Sequence, residues 1–207
     1  MASSGQWVDG LARPELAALP DRVRLPLALS LAGVAEAVAA LPPDWWIPHF
    51  VAQHFSGAWD VLPLRASAAA RHPIQRIAAQ PDASDWIDTP ELAALPALGA
   101  LLAAFACPLG AARLMRLAPG STIHEHRDLG LAAAEGCARL HVPIASGPAV
   151  SFLLNGSPVP MAVGECWYLR LTDPHAVANR GDVPRIHLVI DALVDDWLAA
   201  RLLEGAH

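Results

Sequence analysis

After residue 110 the chain is cut into short apolar runs by turn-forming residues, and no other feature restricts its fold as strongly. The cuts fall at Pro119-Gly120, Gly147-Pro148, Asn155-Gly156, Gly164, Asp173-Pro174 and Gly181-Asp182. The runs between them, Ala112–Leu117, Thr122–His126, Ala138–Ile144, Val150–Leu154, Cys166–Leu171, Ala176–Asn179 and Arg185–Asp191, are too short for helices and read as strands. Asn155-Gly156 between two such runs is a hairpin signal, because a two-residue turn of the required hand needs positive φ at both positions. Short strands at this cadence imply an antiparallel sandwich or jelly roll.

The first half has a different texture. Ser30–Leu41 is alanine-rich and closed by Pro42-Pro43, which predicts a helix. Thr89-Pro90-Glu91 supplies a cap and a first-turn proline for a second helix over Leu92–Phe105. Strands are predicted near Trp46–Val51 and Val61–Ala66, a polar loop at Gln80–Asp85, and an amphipathic closing helix over Leu193–Leu203. The expected organisation is one domain over 1–207: a helix-rich part at 1–109 packed on a jelly-roll core at 110–192, then a helix at 193–207. This is a mainly β fold with flanking helices. Leu92–Ala112 is uncharged and long enough to span a bilayer, but Pro96, Gly99, Pro108 and Gly110 interrupt it, so it reads as a packed helix.

Composition removes several classes of function. All 14 basic residues are arginine, so neither a Schiff-base lysine nor a phosphate-loop lysine exists. The net charge of −6 argues against a nucleic-acid partner. Cys107, Cys137 and Cys166 are odd in number and scattered, which is neither a disulfide framework nor a zinc ribbon. With no basic N-terminal region followed by an apolar run, the expected location is the cytoplasm, without a membrane partner.

The histidines carry the chemistry. In His126-Arg127-Asp128 an imidazole and a carboxylate stand two apart, on one face of an extended strand. His175 opens a later predicted strand and Arg185 opens the next. Two histidines and one carboxylate can occupy one face of an octahedral iron(II), leaving three open positions. A downstream arginine offers a bidentate clamp for the far end of a dicarboxylate. The same residues admit a plainer reading, in which the histidines are satisfied core residues and Arg185 pairs with an acid such as Asp182.

The C-terminal half resembles the aspartyl/asparaginyl β-hydroxylase family of Fe(II)- and 2-oxoglutarate-dependent dioxygenases, bacterial proline-hydroxylating relatives included. The resemblance lies in Arg116-Leu-Ala-Pro-Gly-Ser-Thr-Ile-His-Glu-His-Arg-Asp128, Arg139-Leu-His-Val-Pro143, Gly164-Glu-Cys-Trp-Tyr168 and the stretch from His175 to Asp191. It extends more loosely to Trp46–Phe50 and Phe55–Trp59. It implies His126, Asp128 and His175 as iron ligands, Arg185 as the partner of the distal 2-oxoglutarate carboxylate, and His141 beside that co-substrate. It also implies Arg139 as a substrate-carboxylate contact. The implied core is a double-stranded β-helix of the jelly-roll, cupin-like kind, and the implied cofactors are Fe(II), 2-oxoglutarate and dioxygen. The implied reaction hydroxylates an amino acid, or an amino-acid residue in a peptide, releasing succinate and CO₂. The substrate partner is expected to bear a carboxylate. The presence of Asp128 counts against a halogenase. Met115 stands where some members have a serine, which removes one contact to 2-oxoglutarate. Two other classes fit the strand pattern: a metal-binding cupin without oxidative activity, and a cupin-type isomerase.

Other residues admit two roles each. His124 would share the face of His126 and offers a rival ligand register. His187 shares a strand face with Arg185, as a pocket or an interior histidine. His49 and His54, among Trp45, Trp46, Phe50, Phe55 and Trp59, are packing residues or part of a substrate wall. One of Trp167 and Tyr168 faces the barrel interior, and Asn179 serves a turn or sheet end.

Overall fold

The computed structural model describes residues 12–78, 83 and 85–206. Its strands, in chain order, are β1 Arg22–Leu25, β2 Ile47–Pro48, β3 Phe55–Ser56, β4 Trp59–Ser67, β5 Trp86–Asp88, β6 Leu109–Leu117 and β7 Thr122–His126. They continue as β8 Cys137–Ala145, β9 Val150–Leu154, β10 Ser157–Pro158, β11 Cys166–Leu169, β12 His175–Asn179 and β13 Arg185–Leu193. The α-helices are α1 Val34–Ala39, α2 Pro73–Ile77, α3 Pro90–Ala93, α4 Pro96–Leu102 and α5 Asp196–Gly205. Every run predicted as a strand after residue 110 is one, Thr122–His126 and Val150–Leu154 with the expected bounds. The hairpin between β9 and β10 turns at Asn155 and Gly156, with φ of 52° and 71°, the left-handed pair that such a turn demands.

Two antiparallel sheets form the body. The larger has eight strands in the order β1-β11-β8-β13-β6-β4-β2, with β5 on the side of β4. The smaller runs β10-β9-β12-β7-β3. The larger sheet draws on the first half of the chain: β4 is nine residues long and pairs directly with β6. The sheet is therefore not confined to 110–192, and the first half is less helical than its alanine content implies. The helix expected over Leu92–Phe105 is split into α3 and α4, because Pro96 lacks the N–H that a continuous helix needs there. Thr89 caps α3, as its position implies, accepting from the Leu92 amide at 3.3 Å. The segment expected over Ser30–Leu41 is helical only at Val34–Ala39, and Leu193 belongs to β13 rather than to the last helix. Most of the expected loop at Gln80–Asp85 lies outside the described residues. β1 was not foreseen, although Arg-Val-Arg-Leu alternates as an edge strand should.

The faces of the larger sheet separate by the period of two. Leu62, Leu64, Leu114, Leu140, Val142, Leu188 and Ile190 point to one side and pack with Leu98 and Leu101 of α4 and Leu198 and Leu202 of α5. Truncating a buried leucine of this kind costs about 2–5 kcal/mol. Residues on the other face meet the smaller sheet around Trp59, Leu117, Phe152 and Val177. Trp167 packs on this second cluster and Tyr168 on the first, so Trp167 is the inward member of that pair. Among the described residues no helix is long and apolar enough to cross a membrane. Cys107, Cys137 and Cys166 are free thiols.

Candidate metal centre

Between the sheets lies a cavity of about 220 Å³, and the residues singled out for chemistry converge on it. One donor atom from each of His126, Asp128 and His175 lies within 4.8 Å of the other two. The two imidazoles face one another with centroids 4.2 Å apart, and His126 Nε2 is 3.7 Å from Asp128 Oδ1.

A backbone irregularity builds this cluster. β12 and β7 pair His175 with His126 and Val177 with Ile123, so two steps on β12 match three on β7. The extra residue in β7 is a bulge, which re-aims the side chains that follow it. Strict alternation would put Ile123 and His126 on opposite faces; the bulge lets both line the cavity. It also separates His124 from His126. The His124 ring is exposed and engaged by Ser56 Oγ at 2.9 Å and the Gln53 carbonyl at 3.1 Å. The rival register with His124 as a ligand is therefore not assembled. Asp128 lies just past β7, its amide donating to the Leu171 carbonyl at 2.8 Å.

The donors are prepared to ligate. His126 Nδ1 donates to the His124 carbonyl at 2.8 Å and His175 Nδ1 to the Asp173 carbonyl at 3.0 Å. A carbonyl only accepts, so both rings carry their hydrogen on Nδ1 and keep the Nε2 lone pair for a metal. Burial, with the neighbouring His126, holds the His175 pKa below the ordinary imidazole range, so it is neutral as ligation requires.

The outer oxygen of Asp128 is held as well. Arg139 Nη1 donates to Asp128 Oδ2 at 2.6 Å. The same guanidinium grips Asp191 through Nε and Nη2, at 2.6 and 3.0 Å. Arg113, 1% exposed, donates to Asp191 Oδ2 at 3.0 Å. Burial alone would raise the Asp191 carboxyl, but Arg139 and Arg113 outweigh it and leave it below the ordinary carboxylate range. Neither Arg113 nor Asp191 was foreseen as part of the site. The alternation of β13 puts Asp191 on the face of Arg185, but only the register pairing Asp191 with Arg139 reveals the network.

The other end of the cavity is built differently. Arg185 is 2% exposed and has no carboxylate partner among the described residues. Its Nη2 donates to His187 Nδ1 at 2.9 Å, and its Nε has no partner. Asp182, the acid that a purely structural role would have required, does not pair with it. Burial pulls the Arg185 pKa from 12.5 down to about 9, the mark of a charge without a counter-charge. His141 lies nearby with neither ring nitrogen bonded, and burial together with Arg185 keeps it neutral. Phe152, also unforeseen, stacks parallel to His175 at 6.1 Å and carries the Arg185 guanidinium 5.9 Å from its ring centre. Asn179 ties the turn that leads into Arg185, donating to Leu117 and Val183 carbonyls at 3.0 and 2.8 Å.

The remaining wall is aromatic. His49 stacks on Trp59 at 3.6 Å, and burial lowers its pKa to about 4. His54 stacks on His126 at 5.3 Å. Both line the cavity, as does Phe50, whose ring is about half exposed.

Comparison with known proteins follows this geometry. No curated protein matches the chain. Among solved structures, an oxidoreductase of the 2OG-Fe(II) oxygenase family from Burkholderia pseudomallei is similar over 93% of each chain, at 16% identity and a TM-score of 0.53, which shows a shared fold. A predicted oxalate decarboxylase from Thermotoga maritima is 14% identical over 72% of this chain and 90% of its own, with a TM-score of 0.40. A cupin 2 conserved barrel domain protein from Salinispora arenicola is 17% identical over 45% of this chain and 70% of its own, with a TM-score of 0.31. The sequence profile of the family described as Aspartyl/Asparaginyl beta-hydroxylase matches residues 35–194, which take in the His-Asp-His cluster and Arg185 alike, and the chain belongs to that family of dioxygenase-type hydroxylases.

Proposed function

We propose that the chain hydroxylates a C–H bond of an amino acid, or of an amino-acid residue in a peptide, with Fe(II) held by His126, Asp128 and His175. In this reading Arg185 receives the distal carboxylate of 2-oxoglutarate and His141 lies beside the co-substrate. The observation that carries it is Arg185: a buried guanidinium with no acid beside it among the described residues, facing a cavity whose other end holds a set of metal donors. Burying an unpaired charge is costly, so the arrangement calls for an anion from outside. The donor set fits iron(II) in the same way, with two imidazoles, one carboxylate and an open side. When bound, iron(II) with 2-oxoglutarate and dioxygen supplies oxidative decarboxylation to succinate and CO₂ coupled to oxygen insertion into a C–H bond.

The chain's own residues orient and exclude. Arg139 fixes Oδ2 of Asp128, which turns Oδ1 toward the two imidazoles. Once Asp128 gives its charge to a metal, Arg113 and Arg139 share Asp191 alone, and a positive charge is left over. Arg139 keeps one hydrogen on each terminal nitrogen. This surplus supports a carboxylate-bearing substrate, while Trp59, Phe152 and Val177 keep water from the reacting position.

The test is turnover. Protein loaded anaerobically with Fe(II) is exposed to air with 2-oxoglutarate and a panel of carboxylate-bearing amino acids, each offered free and within a short peptide. Succinate formation is expected with a subset of the panel and at background in Arg185→Ala. Succinate at the Arg185→Ala level with every compound would contradict the proposal.

A further inference from the structure

Of the side chains that reach into the barrel from β13, His187 has no part in the roles given so far. It is 2% exposed, lies behind Arg185, and among the described residues its only hydrogen-bond contact is to that guanidinium. Arg185 Nη2 is a donor only, so His187 Nδ1 accepts and the imidazole hydrogen is on Nε2. The other titratable group facing the pair is His141, whose ring centre is 5.9 Å from that of His187. No acid acts on Arg185 or His187 among the described residues.

A guanidinium on a flexible stem needs an acceptor to fix its fork before a ligand arrives, because an unfixed side chain loses rotamer freedom on binding. An acid would fix it equally well, and elsewhere in this barrel Asp191 does so for Arg139. An acid would also cancel the charge. A neutral imidazole fixes the orientation and leaves the charge intact. Burial, with Arg185 and His141 adjacent, disfavours protonation of His187, so it stays an acceptor.

We propose that His187 is a positioning residue that aims Arg185 without neutralising it, reserving the full guanidinium charge for the far carboxylate of the dicarboxylate co-substrate. This rests on the reading of Arg185 as the 2-oxoglutarate partner, and it adds a requirement on the residue behind it: an uncharged hydrogen-bond acceptor.

Gln and Glu are matched in size and differ in charge, which isolates the requirement. The experiment measures the 2-oxoglutarate affinity of anaerobic Fe(II)-loaded protein for wild type, His187→Gln, His187→Glu and Arg185→Met, with thermal unfolding of each metal-free protein to verify folding. His187→Gln is expected to bind within about threefold of wild type, because its amide oxygen still accepts from Arg185. His187→Glu is expected to bind roughly 10- to 100-fold more weakly, the loss of a charge-assisted interaction. Equal affinity in His187→Glu and wild type would overturn the inference, and so would equal weakening by Gln and Glu, which would make shape rather than charge the determinant. If wild type itself binds no 2-oxoglutarate, the functional reading fails and takes this inference with it. If wild type binds and Arg185→Met binds roughly 10- to 100-fold more weakly, that reading stands whatever His187 does.

Discussion

β13 carries a buried charged residue near each end of its cavity face, and the two ends solve the same electrostatic problem in opposite ways. At one end Asp191 lies between Arg113 and Arg139, and Arg139 reaches on to Asp128, so each charge there meets its opposite inside the protein. At the other end, six residues or about 20 Å along an extended strand, Arg185 meets only a neutral imidazole. The first end is electrostatically complete as folded. The second leaves its charge unmatched by an acid among the described residues. Equal burial thus has different consequences: a paired buried charge organises the protein around it, whereas the unpaired one is the charge that the proposed function assigns to an anionic co-substrate.

Substitutions that treat both ends alike bring out the contrast. The largest effect is expected from Asp191→Ala, which leaves the buried Arg113 without its acid and Arg139 with Asp128 alone, and costs about 3–5 kcal/mol of stability, measured by chemical denaturation. Arg185→Met is expected to act in the other direction, leaving the stability of the ligand-free protein unchanged or raising it by about 1–4 kcal/mol, because it removes an uncompensated charge and keeps the volume. A large loss of stability in Arg185→Met would show that Arg185 is a structural partner after all, and the comparison would fail. The smallest effect concerns acid. The Asp191 carboxyl is held below its unfolded value, so its contribution is fully present above about pH 4, the unfolded carboxylate pKa, and is lost as the pH falls toward the lower folded value. The stability gap between wild type and Asp191→Ala is therefore expected to be constant from neutral pH down to about pH 5 and to narrow below pH 4. A gap that widens in acid would mean that Asp191 is not ionised as the network requires.

Much of the barrel was legible because turn residues act locally. Asn155-Gly156 announces its own hairpin, and the strands on either side follow from it. The first half was less legible. Alanine favours helix in isolation, yet the alanine-rich stretch Ser30–Leu41 is helical only at Val34–Ala39, because tertiary context overrides propensity. Pro96 was seen as an interruption, yet its full consequence, two helices instead of one, depends on how each packs.

The site divides similarly. His126, Asp128, His175, His141 and Arg185 were singled out from sequence, and all five meet at one cavity. Arg139 is there too, with three of its hydrogen bonds already committed to acids, a state that no local pattern reveals. The bulge that disqualifies His124, and the register that unites Arg113, Asp191 and Arg139, are properties of strand pairs and have no signature within a single strand. Phe152 escaped notice because an apolar residue in a strand is ordinary until its neighbours are known.

The most direct test of the unpaired end is an anaerobic titration of Fe(II)-loaded protein with 2-oxoglutarate, followed by the visible metal-to-ligand charge-transfer band, with His126→Ala and Arg185→Met alongside. The expected result is a band in wild type, its loss in His126→Ala, and a shift to roughly 10- to 100-fold higher 2-oxoglutarate in Arg185→Met. No band in wild type, with iron bound as tightly in His126→Ala, would contradict both the metal site and the meaning given to the lone guanidinium.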